Sequence, residues 1–413
     1  MTQDRISRDL ALERIRHHTR DFPADARDMS LMESLGLVCA QDMFAMHSTP
    51  SEPRSTVDGF AFASQSARHA TPEAPAQLAA SGQIRPSSAA PTSLAPGQAI
   101  GILTGGPLPI GADCVVTSES VLHEGGTIQI TRPVAPLEHV RGVGGDLKAG
   151  TRIVRRGEDL SPPVLAALAV SGTQRASAFQ PPKMLALALG NELDQLESAP
   201  LPGRMPADNL LLVAGLLRQR SVPEVATEVC LNDPSAISHR LRSDKFRCII
   251  TTGGTGPGQR DFVMQAALDA GFQPLFNGLA LTPGKSMFAA TRDGTLLFAL
   301  PGTPWAVFAL MHAIVLPAVC WLRGRTLPVP GPILARPQLM PIAAPLGWER
   351  LVPCTVSALG AELHAQPLLD RSREARLDML QAQGLLIISD KVENEELVPM
   401  IPIWENRRGY RLN

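Results

Sequence analysis

The sequence predicts a multidomain α/β protein whose central domain holds a mostly parallel sheet with helices on both faces. Three observations lead to that class. At 413 residues the chain is long enough for two to four cores. From residue 180 onward short apolar runs alternate with helical patterns, the succession that builds parallel sheets. On either side of that stretch, short apolar runs bounded by Gly and Pro point to β-rich modules. The 34 Gly and 37 Pro, about one residue in six against a usual one in eight, fit many turns and argue against a helical bundle or coiled coil.

Residues 5–20 and 29–46 carry helix-like apolar spacing (Leu10, Ile15; Leu31, Leu35, Val38), with Pro23 as a break between them. From Ser64 to Pro96 the composition turns Ala/Pro/Ser-rich and by itself reads as a linker or disordered stretch. Ala99–Leu103, Cys114–Val116 and Ile128–Ile130 then read as strands. In the α/β part, Met184–Leu189 ends in Gly190-Asn191-Glu192, and Asn209–Gln219 follows as a helix. Cys248–Thr252 ends in the glycine loop Gly253 to Gly258, followed by a helix over Asp261–Ala270. Thr295–Leu300 ends in Pro301-Gly302-Thr303-Pro304. All three polar loops fall at carboxyl ends of strands, where open α/β sheets bind ligands. Trp305 to Leu322 is an 18-residue stretch without a formal charge. It contains His312 and Pro317 and opens on Thr303, able to cap a helix, and Pro304 at its first position, so it reads as a buried core helix rather than a membrane span. Leu385–Ile388 and Val398–Ile403 mark a separate β domain from about residue 330.

Charge and composition narrow the function. With 38 Lys+Arg against 39 Asp+Glu the net charge is −1, without the basic excess of a nucleic-acid or anionic-membrane binder. Twelve Phe, four Trp and the single Tyr410 are too few for a base-stacking platform. The six cysteines form no C-x-x-C pair and most sit in apolar stretches such as Leu37-Val38-Cys39, as small core hydrophobes of a reducing compartment do. Met1 to Arg20 has no apolar segment of a secretory signal, so the expected location is cytoplasmic.

Two loops resemble phosphate cradles and miss the familiar patterns. Gly284-Lys285-Ser286 ends like a Walker A loop, but Leu279 stands where its first glycine belongs. Gly254-Thr255-Gly256-Pro257-Gly258-Gln259 starts like G-x-G-x-x-G and ends on Gln259. The physics does not need the motif: small residues at a strand end expose backbone N–H groups to an anion, and the next helix N-terminus adds a favourable partial charge. An ordinary tight strand–helix turn is the other reading.

Taken together, several segments carry a family. Thr251-Thr252-Gly253-Gly254-Thr255-Gly256, followed by Asp261, resembles the signature loop of molybdopterin-binding enzymes. Leu300-Pro301-Gly302-Thr303-Pro304 resembles L-P-G-N-P, Thr56-Val57-Asp58-Gly59-Phe60-Ala61 is similar to A-M-D-G-Y-A, and Thr104 to Asp113 is similar to T-G-A-P-x-P-x-G-A-D. Leu189-Gly190-Asn191-Glu192-Leu193 stands for T-G-D-E-L, and Asp208-Asn209 for a D-T-N or D-S-N run. In this order over nearly the whole chain, they resemble the molybdopterin molybdenumtransferases, the MoeA-type and gephyrin E-domain family. The family's R-G-E-D-[IL] has two counterparts here. Gly157-Glu158-Asp159-Leu160 copies its letters, whereas Asp146 has the Ala149-Gly150 tail and is preferred; Asp159, ahead of Ser161-Pro162, reads as a helix-dipole partner.

The resemblance implies a three-layer α/β molybdopterin-binding domain (179–329), a β-rich domain (48–135), an elongated α+β linking and dimerisation domain (1–47 with 136–178) and a C-terminal β-barrel-like domain (330–413). Residues 64–96 then belong to a folded β-rich domain. It implies an enzyme that inserts molybdate into adenylylated molybdopterin and releases AMP with the help of Mg²⁺. Catalytic residues would be Asp58, Asp146, Glu192 and Asp261. Cofactor-binding residues would be Thr104, Gly190, Asp208, Asn209, Gly253, Gly254, Thr255, Gly256, Lys285, Pro301, Gly302, Thr303 and Pro304, and Asp261 and Asp233 would hold the metal. The chemistry suits the residue types: a pyrophosphate needs backbone N–H donors and a cation, and a divalent metal needs carboxylates that leave room for phosphate oxygens. The implied partners are a second copy of the chain, with the active site built between subunits, and a molybdopterin adenylyltransferase or a recipient molybdoenzyme.

The departures fall on the anion side. Where the family has K-x-x-x-K-P-G-K-P, this chain has Gly278 to Ser286, with Gly278 and Thr282 in place of two lysines. Thr303 replaces the loop Asn and Ala306 a Ser, and Arg350, Arg371 and Ser372 are the C-terminal stand-ins for oxyanion ligands. Each charge-assisted contact is worth ~1.5–3 kcal/mol, so two lost cations correspond to roughly 10²- to 10⁴-fold in affinity unless others compensate. The alternatives are a molybdopterin adenylyltransferase, to which Thr-Thr-Gly-Gly-Thr-Gly-Pro also fits, and a non-catalytic protein that binds or hands over the cofactor. Molybdate and tungstate, tetrahedral dianions of nearly one size, are not distinguished by the sequence.

Overall fold

Met184–Leu189 (MLALAL) is buried at all six positions, the pattern of a central strand with both faces covered. It pairs in parallel with Val225–Cys230 on one side and with Cys248–Thr252 on the other. Cys248–Thr252 pairs in parallel with Thr295–Leu300, and Phe288–Arg292 and Gln273–Asn277 extend the six-stranded sheet by antiparallel pairings. The computed structural model describes residues 5–20, 24–88, 93–196, 202–254, 260–326, 331–338, 343–360, 362–368, 375–389 and 396–403. Its α-helices are α1 (Arg8–Arg20), α2 (Pro162–Val170), α3 (Asp208–Gln219), α4 (Pro234–Leu241), α5 (Arg260–Asp269), α6 (Pro304–Leu310), α7 (Leu316–Leu322) and α8 (Ala375–Gln381).

Alternation along the strands divides the core between two faces. Met184, Ala186 and Ala188 pack with Ala11 and Ile15 of α1, Val213 and Leu217 of α3, and Val307 and Val319 of α6 and α7. Leu185, Leu187 and Leu189 pack on the opposite face with Ile237 and Leu241 of α4 and Val263 and Ala266 of α5. The result is the expected three-layer domain, with α1 from the chain's start lying on its first face. The buried stripe of α1 is Ala11, Ile15 and Thr19, while Leu10 is 38% exposed, so the apolar spacing of Leu10 did not mark the core face.

Residues 29–46 differ from the helical expectation. They form the strands Ala26–Ser30, Val38–Cys39 and Met43–Phe44, separated by a turn at 31–36. Ala26–Ser30 and Val38–Cys39 flank Arg175–Phe179 antiparallel, and Met43–Phe44 pairs with Arg152–Val154. Pairing with a distant segment overrides the local period: Cys39, Met43, Val154, Leu160 and Leu168 share one core, whereas Leu35 stays exposed in the turn. The stretch 64–96 contributes the nine-residue strand Ala76–Ile84 to a six-stranded sheet that also holds Gly59–Phe62 and Gln98–Ile102. At the C-terminal end, Glu349–Leu359, Glu362–Pro367, Ile333–Pro337, Val398–Pro402 and Gly384–Ile388 pair in a closed ring, a five-stranded barrel. Leu281–Thr282 adds to Glu349–Arg350 in parallel and ties that barrel to the α/β domain.

The uncharged stretch after Thr303 is one helical rod in which a π-turn, Met311–Val315, joins α6 to α7 just before Pro317. It is long and apolar enough to cross a membrane, yet 83% of its most apolar window is buried within the protein, which makes it a core helix. Thr303 sits at the N-cap without a side-chain cap; its carbonyl, not its hydroxyl, accepts from the Val307 N–H at 3.0 Å. The cysteines among these elements are all buried and unpaired.

His312 is held within this rod against Phe308, with ring centroids 4.8 Å apart and its Nε2 lacking a hydrogen-bond partner. Burial, reinforced by Arg220, pushes its pKa down to about 3. The unfolded chain therefore takes up a proton below about pH 6.5 that the folded chain refuses, so stability is full above that pH and falls as pH drops toward 3. Lowering the pH from 7 to 5 is expected to cost about 2 kcal/mol through this residue alone. Urea unfolding of His312→Leu at both pH values should show that loss removed.

Candidate functional site

The loops leaving Met184–Leu189, Cys248–Thr252 and Thr295–Leu300 converge at one end of the parallel sheet. The Gly253 N–H donates to the Leu300 carbonyl at 3.1 Å, which brings the second loop against the third. Gly253 has φ +90°, and a Cβ there would lie 2.5 Å from the Leu189 carbonyl oxygen. A Cβ on Gly302 would lie 3.3 Å from the Gly253 Cα, so the loops meet backbone to backbone, with no room for a side chain at Gly253 and little at Gly302. Beside them opens a cleft of about 540 Å³, within the range of small-molecule sites.

This cleft brings together Glu192, Asp208, Asn209, Gly253, Gly254, Gly302 and Pro304 from four separate motifs. Asn209, at the start of α3, donates through Nδ2 to the Gly302 carbonyl at 2.8 Å, while its buried Oδ1 has no hydrogen-bond partner. Gly190, Pro301 and Thr303 belong to the same loops without lining the cleft. Thr255 and Gly256 lie outside the described residues, and Asp261 is in the first turn of α5. Lys285 is exposed beyond Leu281–Thr282 and does not line the cleft.

Three polar lining residues were not among the expected site residues: Thr252, Asn232 and Arg376. Thr252 ends the strand whose loop was singled out, and Asn232 is held through its N–H by the Asn191 side chain at 3.0 Å. Arg376 comes from α8, beyond the α/β domain, and forms an ion pair with Asp208 across the cleft. Arg371 and Ser372 lie outside the described residues, and Arg350 stands instead beside Thr282 as its strand partner.

The carboxylates proposed for metal or catalysis have different surroundings. Asp233 caps α4: its Oδ2 accepts from the Ser235 hydroxyl at 2.5 Å and the Ala236 N–H at 2.9 Å, and these bonds hold its carboxyl below the usual range. Among the described residues no three His, Cys, Asp or Glu side chains gather as a metal cluster. Among the described residues Glu192 and Asp208 are the carboxylates lining the cleft, a donor set that suits Mg²⁺ bound chiefly through substrate phosphates.

Asp58 and Thr104, read from separate motifs, meet in the β-rich domain. Asp58 Oδ1 accepts from the Thr104 N–H at 2.6 Å and from its hydroxyl at 2.7 Å, which holds the exposed carboxyl below its ordinary pKa. Asp146 is exposed on the 142–150 loop, its N–H bonded to the Thr49 carbonyl at 3.0 Å. None of the three lines the cleft within one chain. Asp159 is paired with Arg325 at 2.9 Å rather than serving the N-terminus of α2.

Residues 6–172 match the model of the MoeA N-terminal region (domain I and II), and residues 186–320 match a probable molybdopterin binding domain. The chain is 29% identical to the molybdopterin molybdenumtransferase of Staphylococcus epidermidis over 299 residues, 72% of this chain and 71% of that one. It is 26% identical to that of Staphylococcus aureus over 316 residues, covering 76% and 75%. In fold it is similar to the molybdopterin biosynthesis MoeA protein from Pyrococcus horikoshii OT3, with TM-score 0.80 and 23% identity over 97% of this chain and 100% of that one.

A matched pair of glycine substitutions tests the backbone contact. Gly253→Ala must displace the Leu189 carbonyl and should lower stability by about 1–3 kcal/mol. Gly215→Ala, inside α3 with open space at its Cβ, should raise it by about 0.5–1 kcal/mol. Denaturant titration of both proteins reads the difference.

Proposed function

Because the chain belongs to the MoeA-type family of molybdopterin molybdenumtransferases, and so to molybdenum cofactor biosynthesis, we propose that it inserts molybdate into adenylylated molybdopterin and releases AMP. The observation that carries this reading is the cleft where the glycine loops, Glu192, Asp208, Asn209 and Arg376 meet. The unpartnered Oδ1 of Asn209 offers a buried acceptor to the N–H edge of a pterin. The Gly253 loop presents its backbone to a pyrophosphate, and Arg376 exchanges Asp208 for a phosphoryl oxygen. Mg²⁺, held by Glu192 and Asp208, would neutralise charge on the pyrophosphate oxygens.

Asp58 enters as an ionised acceptor, fixed by Thr104 through Oδ1. Such a carboxylate orients water or a cation and is a poor proton donor. In a homodimer Asp58, Thr104 and Asp146 of one chain would complete the cleft of the other. The protein works in the cytoplasm, where its substrate is made and its product is passed to a recipient molybdoenzyme.

Arg5 and Arg350 are the candidates to replace the two missing lysines. The Arg5 Cγ lies 3.4 Å from where a Cβ on Gly278 would stand, and its guanidinium lies over Trp348, 5.2 Å from the ring centre. Arg350 is the strand partner of Thr282. In this reading Arg5, Arg350 and Lys285, which come from segments meeting at the junction of the α/β domain and the barrel, would supply the cations for a molybdate dianion. Gly278 itself cannot readily regain the family's lysine, because its φ is +94° and a Cβ would sit 3.0 Å from the Lys285 carbonyl oxygen.

Incubation with adenylylated molybdopterin, Mg²⁺ and molybdate should release AMP and yield active cofactor. Tight pterin binding by a folded dimer without AMP release would instead establish a binding or handover protein. Asp58→Asn should lower turnover about 10²-fold or more with pterin affinity retained. Thr282→Lys, at an exposed position, should lower the molybdate concentration needed for half-maximal rate, while Gly278→Lys should lower stability; rate titrations and thermal melts separate the two.

A further inference from the structure

A second cleft, of about 270 Å³, lies where the end of α1 and the end of α7 meet the linking domain. It is lined by Arg16 and Arg20 of α1, Arg156, Arg325, Trp321 and Phe179. Four guanidiniums thus face one small space in a protein of net charge −1. Asp159 answers one of them, pairing with Arg325 at 2.9 Å. Arg16 and Arg20 stand four residues apart on one helix face, where like charges repel. The helix C-terminus offsets part of that repulsion but does not require both cations.

The aromatic rings hold the guanidiniums rather than offering a stacking surface. Arg16 lies over Trp321 at 6.0 Å and Arg156 over Phe179 at 5.2 Å. Behind them Arg323 is buried, donating to the Gly36 carbonyl at 2.6 Å, and burial, with Arg325 and Arg220 adding to it, lowers its pKa. Two buried donors in the lining, Trp321 Nε1 and Arg325 Nε, have no hydrogen-bond acceptor. Among the described residues these two donors have no acceptor and three of the four guanidiniums have no carboxylate, and both lacks are met by one kind of ligand, an oxyanion of charge −2 or more.

We propose that this cleft is a second anion site, distinct from the cleft at the strand ends, which binds the phosphate group of a small molecule. A single carboxylate would leave most of the positive charge unanswered. A phosphate or pyrophosphate group matches the guanidinium geometry through bidentate contacts. Because the rings are already covered, the site reads charge and not a base. Bound phosphate would clamp α1 and α7 to the linking domain.

Calorimetric titration of the full-length protein with pyrophosphate, inorganic phosphate and AMP tests this. The expected result is saturable binding at one such site per chain and a higher melting temperature. Arg16→Gln and Arg20→Gln should each weaken binding about tenfold or more. The ligand-free melting temperature of Arg20→Gln should not fall, since that change removes a repulsion and no ring contact; a merely structural arginine would show the reverse. Arg376→Ala, in the other cleft, should leave this binding intact. AMP binding as tightly as phosphate would assign a phosphomonoester as ligand; binding of pyrophosphate or phosphate alone would assign the free ion. Absence of saturable binding by the unaltered protein, or loss of binding in Arg376→Ala but not in Arg16→Gln, would overturn the proposal.

Discussion

The contact on which the site depends is the meeting of backbones at Gly253. Three parallel strands end side by side, and their loops turn toward one another with no side chain between Gly253, Leu189 and Gly302. The Gly253 N–H bond to Leu300 fixes that approach. From it follow the position of Asn209, which reaches Gly302, and the shape of the cleft beneath. The fully apolar strands supply the rigidity: their two faces are buried in separate cores, so the loops stand on a support that has little freedom to shift.

Around that fixed centre the chain arranges its charge economically. Among the described residues the cleft holds two carboxylates and one guanidinium, and the guanidinium arrives from α8. Positions 278 and 282, where the family resemblance implies lysine, lie at the junction with the barrel, where Arg5 and Arg350 stand. Gly278 itself has a left-handed backbone, a conformation that favours glycine over lysine.

Much of this was legible in the sequence, and the limits have physical causes. Cys248–Thr252 and Thr295–Leu300 appeared with their observed boundaries because a strand buried on both faces is an uninterrupted apolar run. The long rod after Thr303 was legible from its length and lack of charge. Residues 29–46 were not, because a few apolar residues at helical spacing carry little information against pairing with a strand some 140 residues away. Within the site, the glycine loops and Asn209 were visible as motifs. Arg376 was not, since its role arises from the docking of a separate domain and leaves no local pattern. The joining of Asp58 to Thr104 illustrates the opposite case: two motifs were recognised singly, and the fold revealed them as one hydrogen-bonded unit.

Within one chain that unit does not line the cleft; in the proposed homodimer the two would meet across the subunit boundary. Mixed dimers test it most directly. In such a dimer Asp58→Asn would impair one half of each shared site and Arg376→Ala the other. If sites are shared, a heterodimer of the two variants carries one doubly impaired and one intact site. Random mixing of the inactive parents should then restore roughly a quarter of the normal molybdate-dependent AMP release. A mixture no more active than its parents, with heterodimers demonstrably formed, would contradict the account.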